Sequence, residues 1–425
     1  MISADELFLA ARIGWDWADG HHDLALLPMD ADRVERVRIP HTPEALREFL
    51  GQLQRRFKGQ PVGICIEKCR GGIVHALLEY DFIRLLPVNP LTLSRFREAW
   101  TPSRAKDDPT DADFLLDILC KHPERLRCWT PDDAQTRTLA RLTEARRKAV
   151  DMRTRLTQRL CAELKGYFPQ ALAWTGKNLT TRLACDLLLK WPTLKALQRA
   201  RPDTIRRFYY GHNCRRGDVI EQRLQEVRTA VPLTTDPAII HVSALTVQML
   251  ARQILDLAPA IDRYEEEIAR LFESHPDAEI FASLPGAGSA LAPRLLAAFG
   301  TDRNRFQDAT EVGEYTGIAP VTERSGKKEW VHWRWSASTF LRQSFHEFAG
   351  LSIQYSPWAR AHYDLQRERG KRHHAAVRSL AFKWIRILFR CWHDGIGYDE
   401  QHYQNALRRR GSPLAQRLQP TPRAA

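Results

Sequence analysis

Residues 12–18 read Arg-Ile-Gly-Trp-Asp-Trp-Ala and begin the series of short strands on which the fold depends. The segments 23–28 and 34–39 follow after short polar turns, and three such segments in succession predict a β-meander. Asp16 lies within the first strand among apolar neighbours, where an unpaired carboxylate costs on the order of several kcal/mol. We therefore interpret Asp16 as a functional side chain, the alternative being a solvent-facing acid on an edge strand.

Strands and helices alternate in the next part of the chain. The apolar residues of segment 42–58 recur at helical spacing, and 61–66 is a short apolar strand that ends before Glu67. A helix at 71–80 and a strand at 82–88 follow. Strands first, then strand and helix in alternation, predict an α/β domain with a mixed sheet flanked by helices. Side chains on neighbouring strands of such a sheet can converge at one edge, where α/β folds place their sites.

Two more carboxylates stand in the stretch Arg104-Ala-Lys-Asp-Asp-Pro-Thr-Asp-Ala112. Pro109 suits the first turn of a helix, and a helix that begins there carries Asp108 and Asp111 on one face. Carboxylates this close repel each other unless a cation lies between them, and hard oxygen ligands suit Mg²⁺ or Mn²⁺. The alternative is an acidic helix start that complements the helix dipole. Four acids can together hold the two metal ions of a phosphoryl-transfer site: Asp16, Glu67, Asp108 and Asp111.

Composition indicates a nucleic-acid partner. The 425-residue chain carries a formal net charge of +13, mostly from arginine, whose planar side chain suits phosphate. A generic basic protein is the alternative. We predict no membrane span and no signal peptide, and the eight scattered cysteines lack metal-binding spacing. These features predict a cytoplasmic protein with reduced thiols.

The order of the acids resembles one known family. Asp, Glu and Asp-x-x-Asp occur in sequence, with Val88-Asn-Pro90 ahead of the last pair, which reads Lys106-x-Asp-x-x-Asp-Ala112. Over residues 10–165 this pattern resembles the RuvC-like domain, an RNase H fold, of the DEDD transposases in the IS-one-ten group of insertion sequences. Asp107 is also acidic, but Asp108 matches the family spacing. The resemblance implies that the catalytic, metal-binding acids are Asp16, Glu67, Asp108 and Asp111.

Two long helices are predicted in the central part of the chain. Segment 137–165 has an apolar stripe and a basic outer face, and 247–271 has a heptad pattern with Pro259 inside it. We interpret both as coiled-coil helices that pair with each other or with another subunit, although the first also fits a solvated amphipathic helix. Between them, residues 206–216 mix arginines with aromatics, which is typical of nucleic-acid contacts or of an ordinary amphipathic segment.

The C-terminal part contains a second set of motifs. Pro-Gly-Ala-Gly at 285–288 predicts a helix-hairpin-helix-like turn, or a tight structural turn. Ser325 precedes Gly326 in a predicted polar loop among cations, and such a serine is by itself most often an ordinary loop residue. With Gly317-Ile-Ala-Pro320 and the motif at 340–345, these features resemble the C-terminal domain of the same transposases. The resemblance places the family's catalytic serine at Ser325.

Glycines and cations near these motifs are candidate nucleic-acid contacts. The predicted helix around residues 378–390 carries cations on adjoining faces, as phosphate contacts do and as a solvated basic face also does. The candidates are Gly286, Gly288, Arg324, Lys327, Lys328, Arg334, Arg378, Lys383 and Arg386.

The resemblance implies a transposase that cuts and rejoins donor and target DNA through a phosphoserine intermediate, with Mg²⁺ held by the acids. It also implies a structured bridge RNA that pairs with both DNAs, and composite sites within a homo-oligomer, a dimer or a tetramer. One alternative is a Mg²⁺-dependent, RuvC-like endonuclease that acts on branched DNA. Another is a non-catalytic nucleic-acid-binding protein.

Four domains are predicted along the chain. They are a RuvC-like α/β domain at 1–130, a helical, coiled-coil region with a basic insertion at 131–275, a mainly helical transposase domain at 276–400 and a disordered basic tail at 401–425.

Overall fold

The computed structural model describes residues 8–67, 72–100, 108–176, 178–326 and 328–418, with only the backbone described at 108 and 109. The chain forms two compact units: residues 1–134 together with 298–425, and residues 135–297 between them. The first unit therefore contains both the N-terminal sheet and most of the C-terminal motifs.

The N-terminal part of the first unit alternates strands and helices much as the sequence predicts. Its elements are β1 (Ala11–Trp17), β2 (His21–Pro28), β3 (Glu35–Pro40), α1 (Pro43–Arg56), β4 (Val62–Glu67), α2 (Gly72–Leu77), β5 (Ile83–Val88), α3 (Pro90–Trp100) and α4 (Asp108–Lys121). The predicted helix start near Pro109 is confirmed, because α4 begins at Asp108.

The five strands form one mixed sheet in the order β3-β2-β1-β4-β5. β1 pairs with β2, and β2 with β3, in antiparallel register, while β1, β4 and β5 run parallel. The antiparallel half is the meander predicted from residues 12–39. The α/β fold class with a mixed sheet is therefore confirmed.

Helices cover both faces of this sheet. On one face Ile13, Trp15 and Ile64 are fully buried in a cluster shared with apolar residues of α1 and α2. On the other face Cys65 and Leu86 join a cluster with residues of α3 and α4. Because side chains alternate along a strand, the even-numbered residues of β1 face α4.

Gly14 sets how closely α4 approaches the sheet. A Cβ atom at this position would overlap the carbonyl oxygen of Ala112 and the amide nitrogen of Leu116. The backbone of the helix therefore passes directly over β1, and only glycine leaves room for it.

The second unit is helical. Its elements are α5 (Ala134–Tyr167), α6 (Ala171–Trp174), α7 (Arg182–Lys190), α8 (Leu194–Gln198), α9 (Pro202–Gly211), α10 (Gly217–Thr229), α11 (Pro237–Glu273), α12 (Ala278–Ala282) and α13 (Gly288–Phe299), whose last residues re-enter the first unit.

The two predicted long helices are α5 and α11, and they lie antiparallel to each other within one chain. Gln135 donates to the carbonyl of Leu271 at 2.9 Å, and Arg146 pairs with Glu265. The N-terminal end of α5 therefore meets the C-terminal end of α11. These contacts join the two helices within one chain, whereas pairing with another subunit stays a prediction.

One helix has the length and composition of a membrane span, whereas the sequence analysis expected none. It is α11, with a mean hydropathy of 1.4 over its most apolar 18-residue window. The core helices of water-soluble proteins can have the same length and hydropathy. Val247, Leu250 and Ile254 of α11 are fully buried in the helical unit.

The chain completes the first unit with a hairpin and five helices. These are α14 (Ala309–Tyr315), β6 (Val321–Ser325), β7 (Lys328–His332), α15 (Thr339–Tyr355), α16 (Pro357–Glu368), α17 (His373–Asp394) and α18 (Glu400–Arg409). Ion pairs tie this part to the N-terminal part, with Arg127 bound to Glu311 at 2.7 Å and Arg305 to Asp132 at 2.6 Å.

The predicted disordered tail is wrong for residues 401–418. Helix α18 covers the start of this segment, and a short 3₁₀ helix, Ala415–Arg417, follows it. Leu407 and Leu414 are buried, so apolar contacts order a segment whose composition is dominated by polar and basic residues. Residues 419–425 lie outside the described part of the chain.

Candidate active site

Asp16 and Glu67 lie on the same face and at the same end of the sheet. β1 and β4 are parallel with Trp15 paired to Ile66, so Asp16 and Glu67 are the next residues along this register. Gly14 and Cys65 both face α4. Asp16 and Glu67 stand two residues after them in their strands, so they lie on the same face of the sheet. Both are partly exposed. The structure therefore brings these two predicted acids together.

Helix α4 begins at the same end of the sheet. Arg12 lies beside the Cys120 thiol near the end of α4, whereas Gly14 lies beneath Ala112 near its start. The helix therefore runs antiparallel to β1, and its first turn, with Asp108 and Asp111, is directed toward the end that carries Asp16. The side chain of Asp108 lies outside the described part of the structure.

Asp111 has a different environment from the one predicted. Its side chain is only 2% exposed, and both of its carboxylate oxygens accept hydrogen bonds from Arg97 of α3, at 2.7 Å from Nε and 2.5 Å from Nη2. The predicted metal-facing carboxylate is therefore engaged in a bidentate ion pair. Spacing could not reveal this partner, because Arg97 stands fourteen residues earlier on another helix.

A further carboxylate beside Asp16 was missed by the sequence analysis. Asp23 of β2 is the register partner of Asp16 and lies next to it on the α4 face of the sheet. It is buried and accepts hydrogen bonds from Nε and Nη2 of Arg38 on β3, at 2.8 and 3.2 Å. In the sequence, Asp23 is marked only by its position at the start of the second predicted strand. Because Asp23 pairs with Arg38, we interpret the two side chains as a structural ion pair.

Some of the predicted metal ligands, but not all of them, are placed where they could bind a hard divalent cation. Asp16 and Glu67 lie at one end of the sheet, with the first turn of α4 close by, and oxygen ligands of this kind suit Mg²⁺ or Mn²⁺. Where side chains are described, no three acidic, histidine or cysteine residues are close enough to form a metal cluster. The fourth predicted ligand, Asp111, is held by Arg97.

Ser325 ends a strand of a β-hairpin and does not lie in the predicted loop. It is the last residue of β6 and is directly opposite Lys328, the first residue of β7. Gly326, the first residue of the two-residue turn, has φ +59°, as a tight hairpin turn requires. Lys327 lies outside the described residues. Ser325 and Lys328 are exposed and, as directly paired residues, project from the same side of the ribbon.

The same side of the hairpin carries a hydrogen-bonded acid. Glu323 accepts hydrogen bonds from Trp330 Nε1 at 2.9 Å and from His332 Nε2 at 2.8 Å. The hydrogen bond from His332 is the main cause of the lowered pKa of Glu323, and Arg95 of α3 also contributes to the lowering. The hairpin therefore lies within electrostatic range of the helix that binds Asp111.

His332 is arranged to be a cation. Its Nδ1 faces the carbonyl oxygen of Trp333 at 2.8 Å and its Nε2 faces Glu323, so both nitrogens must donate. These two hydrogen bonds raise the pKa of His332. Because the folded-state pKa is raised, the stabilisation is fully present below the ordinary pKa near 6.5 and is lost as the pH rises through the raised value.

We expect Glu323→Gln to lower the pKa of His332, since the substitution removes the carboxylate but keeps a hydrogen-bonding oxygen. An NMR titration of the ¹³C-labelled imidazole rings measures this pKa in the wild type and in the variant. Glu329→Gln, which removes the carboxylate paired with Arg324 on the other side of the hairpin, is the matched control. An unchanged His332 pKa in Glu323→Gln would contradict this interpretation.

A turn between two helices is present at 285–288, as both interpretations of this motif require. Gly286 and Gly288 have φ of +80° and +54°, which side chains rarely adopt, and α13 begins at Gly288. These glycines therefore make the turn between α12 and α13.

Several candidate nucleic-acid contacts already have protein partners. Arg324 pairs with Glu329 at 2.9 Å, and Arg334 pairs with Glu314 at 2.9 Å. Arg378 stacks over Trp333 at 4.4 Å, and burial lowers its pKa. These arginines therefore serve the local structure, whatever else they bind.

Two candidates on α17 differ in their exposure. Lys383 is half-buried against the ring of Trp358, at 5.7 Å, and burial lowers its pKa. Arg386 is exposed and lies over Phe382 at 5.1 Å. Of the two, Arg386 is the more accessible to a phosphate.

Comparisons with known proteins identify the family. Residues 13–169 match a family model described as a transposase of the DEDD type from IS110, and residues 278–364 match one described as the transposase of the IS116/IS110/IS902 family. The chain is 30% identical over 399 residues to the mini-circle putative transposase for IS117 of Streptomyces coelicolor, which covers 92% of this chain and 96% of that protein. The chain belongs to the IS110 family of transposases.

Two further relatives of this chain are similar to it along nearly their whole length. The 43.6 kDa protein of insertion element IS110, from Streptomyces coelicolor, is 26% identical and covers 93% of this chain and 96% of its own length. The 42 kDa protein of IS900, from Mycobacterium paratuberculosis, is 27% identical, and the match covers 91% of this chain and 96% of that protein.

Family membership decides the class of activity. The chain is a transposase of an IS110-family insertion element, a DNA-binding enzyme that cuts and rejoins DNA. It is therefore not a non-catalytic nucleic-acid-binding protein. DEDD transposases as a class generally use a divalent metal. The two segments that match the family models, 13–169 and 278–364, lie mainly in the first unit.

Proposed function

We propose that this IS110-family transposase cuts DNA with the Ser325 hydroxyl as the nucleophile and with Asp16, Glu67, Asp108 and Asp111 as the acids of a metal site. The observation that carries the proposal is the convergence of Asp16 and Glu67 at one end of the sheet, beside the start of α4. Acids on neighbouring strands can hold the metal ions of a phosphoryl-transfer site.

The proposed reaction consists of two successive transesterifications. Ser325 Oγ forms a bond to the DNA phosphorus, loses its proton and displaces a sugar oxygen, which leaves as a hydroxyl. A sugar hydroxyl of the second DNA then attacks the phosphoserine, rejoins the strand and returns the serine hydroxyl. No phosphodiester energy is lost between the two steps, so rejoining needs no nucleotide cofactor.

The hairpin supplies the conditions that a serine nucleophile needs. Ser325 is exposed at the end of β6, where a DNA backbone can approach it, and Lys328 is its direct partner on β7. A hydroxyl is a weak nucleophile until its alkoxide is stabilised, and an ammonium group beside it favours the alkoxide. Lys328 is thus the cation paired in register with the nucleophile.

A divalent cation, Mg²⁺ or Mn²⁺, held by the acids would neutralise charge on the scissile phosphate and stabilise the leaving oxygen. Asp16 and Glu67 would hold it from the sheet and Asp108 from the first turn of α4. Asp111 would join them once it is free of Arg97.

We also propose that a structured bridge RNA encoded by the element selects the donor and target DNA. The support is the family resemblance together with the net charge of +13, which suits a protein that binds several nucleic-acid strands. Sequence specificity would then reside in base pairing, and the protein would read shape and backbone. Composite sites in a homo-oligomer, a dimer or tetramer, belong to the same proposal.

The test is a recombination assay with donor DNA, target DNA, RNA from the sequence that flanks the gene, and Mg²⁺. Denaturing gels detect protein attached covalently to DNA. We expect the adduct in the wild type, no adduct in Ser325→Ala, and much less adduct when the RNA is omitted. Cleavage that persists in Ser325→Ala but disappears in Asp108→Ala would instead establish a metal-dependent endonuclease.

Thr322→Ala is the matched control for the serine variant. Thr322 lies on the same strand and is also an exposed hydroxyl residue, but it projects from the opposite side of the ribbon. We expect the control to keep the wild-type amount of adduct, because it leaves the face of Ser325 and Lys328 intact.

A further inference from the structure

The contact between Arg97 and Asp111 has a consequence for metal binding. Asp111 is 2% exposed and Arg97 has a side chain that is 16% exposed, so water scarcely reaches the pair. The guanidinium binds both carboxylate oxygens in the fork geometry that gives the strongest pairs between these groups. Asp111 therefore has no oxygen directed toward solvent.

A divalent cation and Arg97 compete for the same carboxylate. Mg²⁺ usually keeps several of its waters, so a buried carboxylate with both oxygens occupied is a poor ligand. A dication that approached Asp111 with Arg97 in place would also meet a fixed positive charge. Binding through Asp111 therefore requires the guanidinium to leave.

Helix α3 is attached in a way that allows such a movement. Its inner face is anchored through Leu93, which is buried, and Phe96, whose ring packs on Phe114 of α4 at 5.8 Å. Its outer face is open, with Leu91 and Trp100 more than half exposed. The Arg97 side chain can change rotamer without disrupting the apolar contacts of the helix.

We propose that Arg97 is a positioning residue that withholds Asp111 from the metal site, so that the affinity for the divalent ion is set by competition between Arg97 and the ion. This inference rests on the proposed metal function of the acids. The ion first binds to the other acids, and Asp111 joins only when Arg97 has been displaced. Arg95, two residues earlier on α3, lies within electrostatic range of Glu323 in the hairpin that carries Ser325.

The test measures Mn²⁺ binding to the full-length chain by the EPR signal of the free ion, without DNA or RNA. We expect Arg97→Gln to bind Mn²⁺ about tenfold more tightly than the wild type, because the fraction of chains with an available Asp111 rises. Arg36→Gln is the matched control. It breaks an exposed arginine–aspartate pair with Asp113 on the same helix and leaves the affinity unchanged.

A double-substitution cycle separates competition from a merely structural role. In the wild-type background Asp111→Asn changes the Mn²⁺ affinity little, whereas in the Arg97→Gln background it removes the gain. Arg97→Lys, whose single ammonium cannot bind both oxygens, binds Mn²⁺ more tightly than the wild type and serves as the second variant if Arg97→Gln does not fold.

The outcomes distinguish this inference from the proposed function. Equal Mn²⁺ affinity in the wild type and in folded Arg97→Gln or Arg97→Lys overturns the competition and leaves the metal site standing. A large loss of affinity in Asp111→Asn alone also overturns it, since Asp111 would then be a ligand with Arg97 in place. If neither the wild type nor the arginine variants bind Mn²⁺, the metal part of the proposed function fails together with the inference.

Discussion

Replacing Asp16 by Asn is expected to reduce DNA cleavage by about 10²- to 10³-fold, the scale seen when one group that stabilises a transition state is removed. Asp16 lies beside Glu67 at the end of the sheet, and an amide in its place supplies no negative charge to a divalent ion. The substitution keeps the size of the side chain, so the fold is retained. Single-turnover cleavage of a labelled DNA substrate measures the effect.

Asp113→Asn is the control for the loss of an acid. Asp113 lies on α4 two residues after Asp111, but its partner is the exposed Arg36 at 2.9 Å. Exposed ion pairs of this kind contribute little to stability, and this one lies outside the acid site. We expect wild-type cleavage from Asp113→Asn. Equal losses in both variants would show that general electrostatics, and not the acid site, control cleavage.

Gly14→Ala is expected to destabilise the first unit by about 3 kcal/mol, at the upper end for overpacking in a core. The added methyl group would overlap backbone atoms of Ala112 and Leu116, and backbone cannot rotate away as a flexible side chain can. Helix α4 must therefore shift, and with it the first turn that carries Asp108. Chemical denaturation followed by tryptophan fluorescence measures the stability, and cleavage assays measure the displacement of the site.

Gly20→Ala is the matched control for Gly14→Ala. A Cβ atom at Gly20, in the turn between β1 and β2, would meet nothing within 4 Å. The two variants make the same chemical change at positions six residues apart. A stability of Gly14→Ala equal to that of Gly20→Ala would contradict the close approach of α4 to β1.

Patterns within single elements were sufficient to predict much of the fold. Each of the five N-terminal strands produces a local signal, apolar side chains between polar turns, and the structure confirms all five within about two residues. The acid at the end of β4 and the acid within β1 were recognisable because each interrupts an apolar segment. Parallel pairing of these strands then determines that they meet at one edge.

The partners of the site residues could not be predicted, because they arise from contacts between separate elements. Arg97 binds Asp111 across two helices, and Arg38 binds Asp23 across two strands. Nothing in the local sequence distinguishes these arginines from the many others in a basic chain. The hairpin that presents Ser325 was missed for another reason, since its short strands are polar and exposed, without the alternation that marks a buried strand.

The most direct test of the account is to identify the residue that is attached to DNA in the trapped complex. Digestion after glutamate should release the six-residue peptide from Arg324 to Glu329, in which Ser325 is the only hydroxyl residue. After nuclease treatment, mass spectrometry should find a nucleotide phosphate on this peptide. Attachment to any other peptide, or cleaved DNA with no attached peptide, would contradict serine catalysis at Ser325.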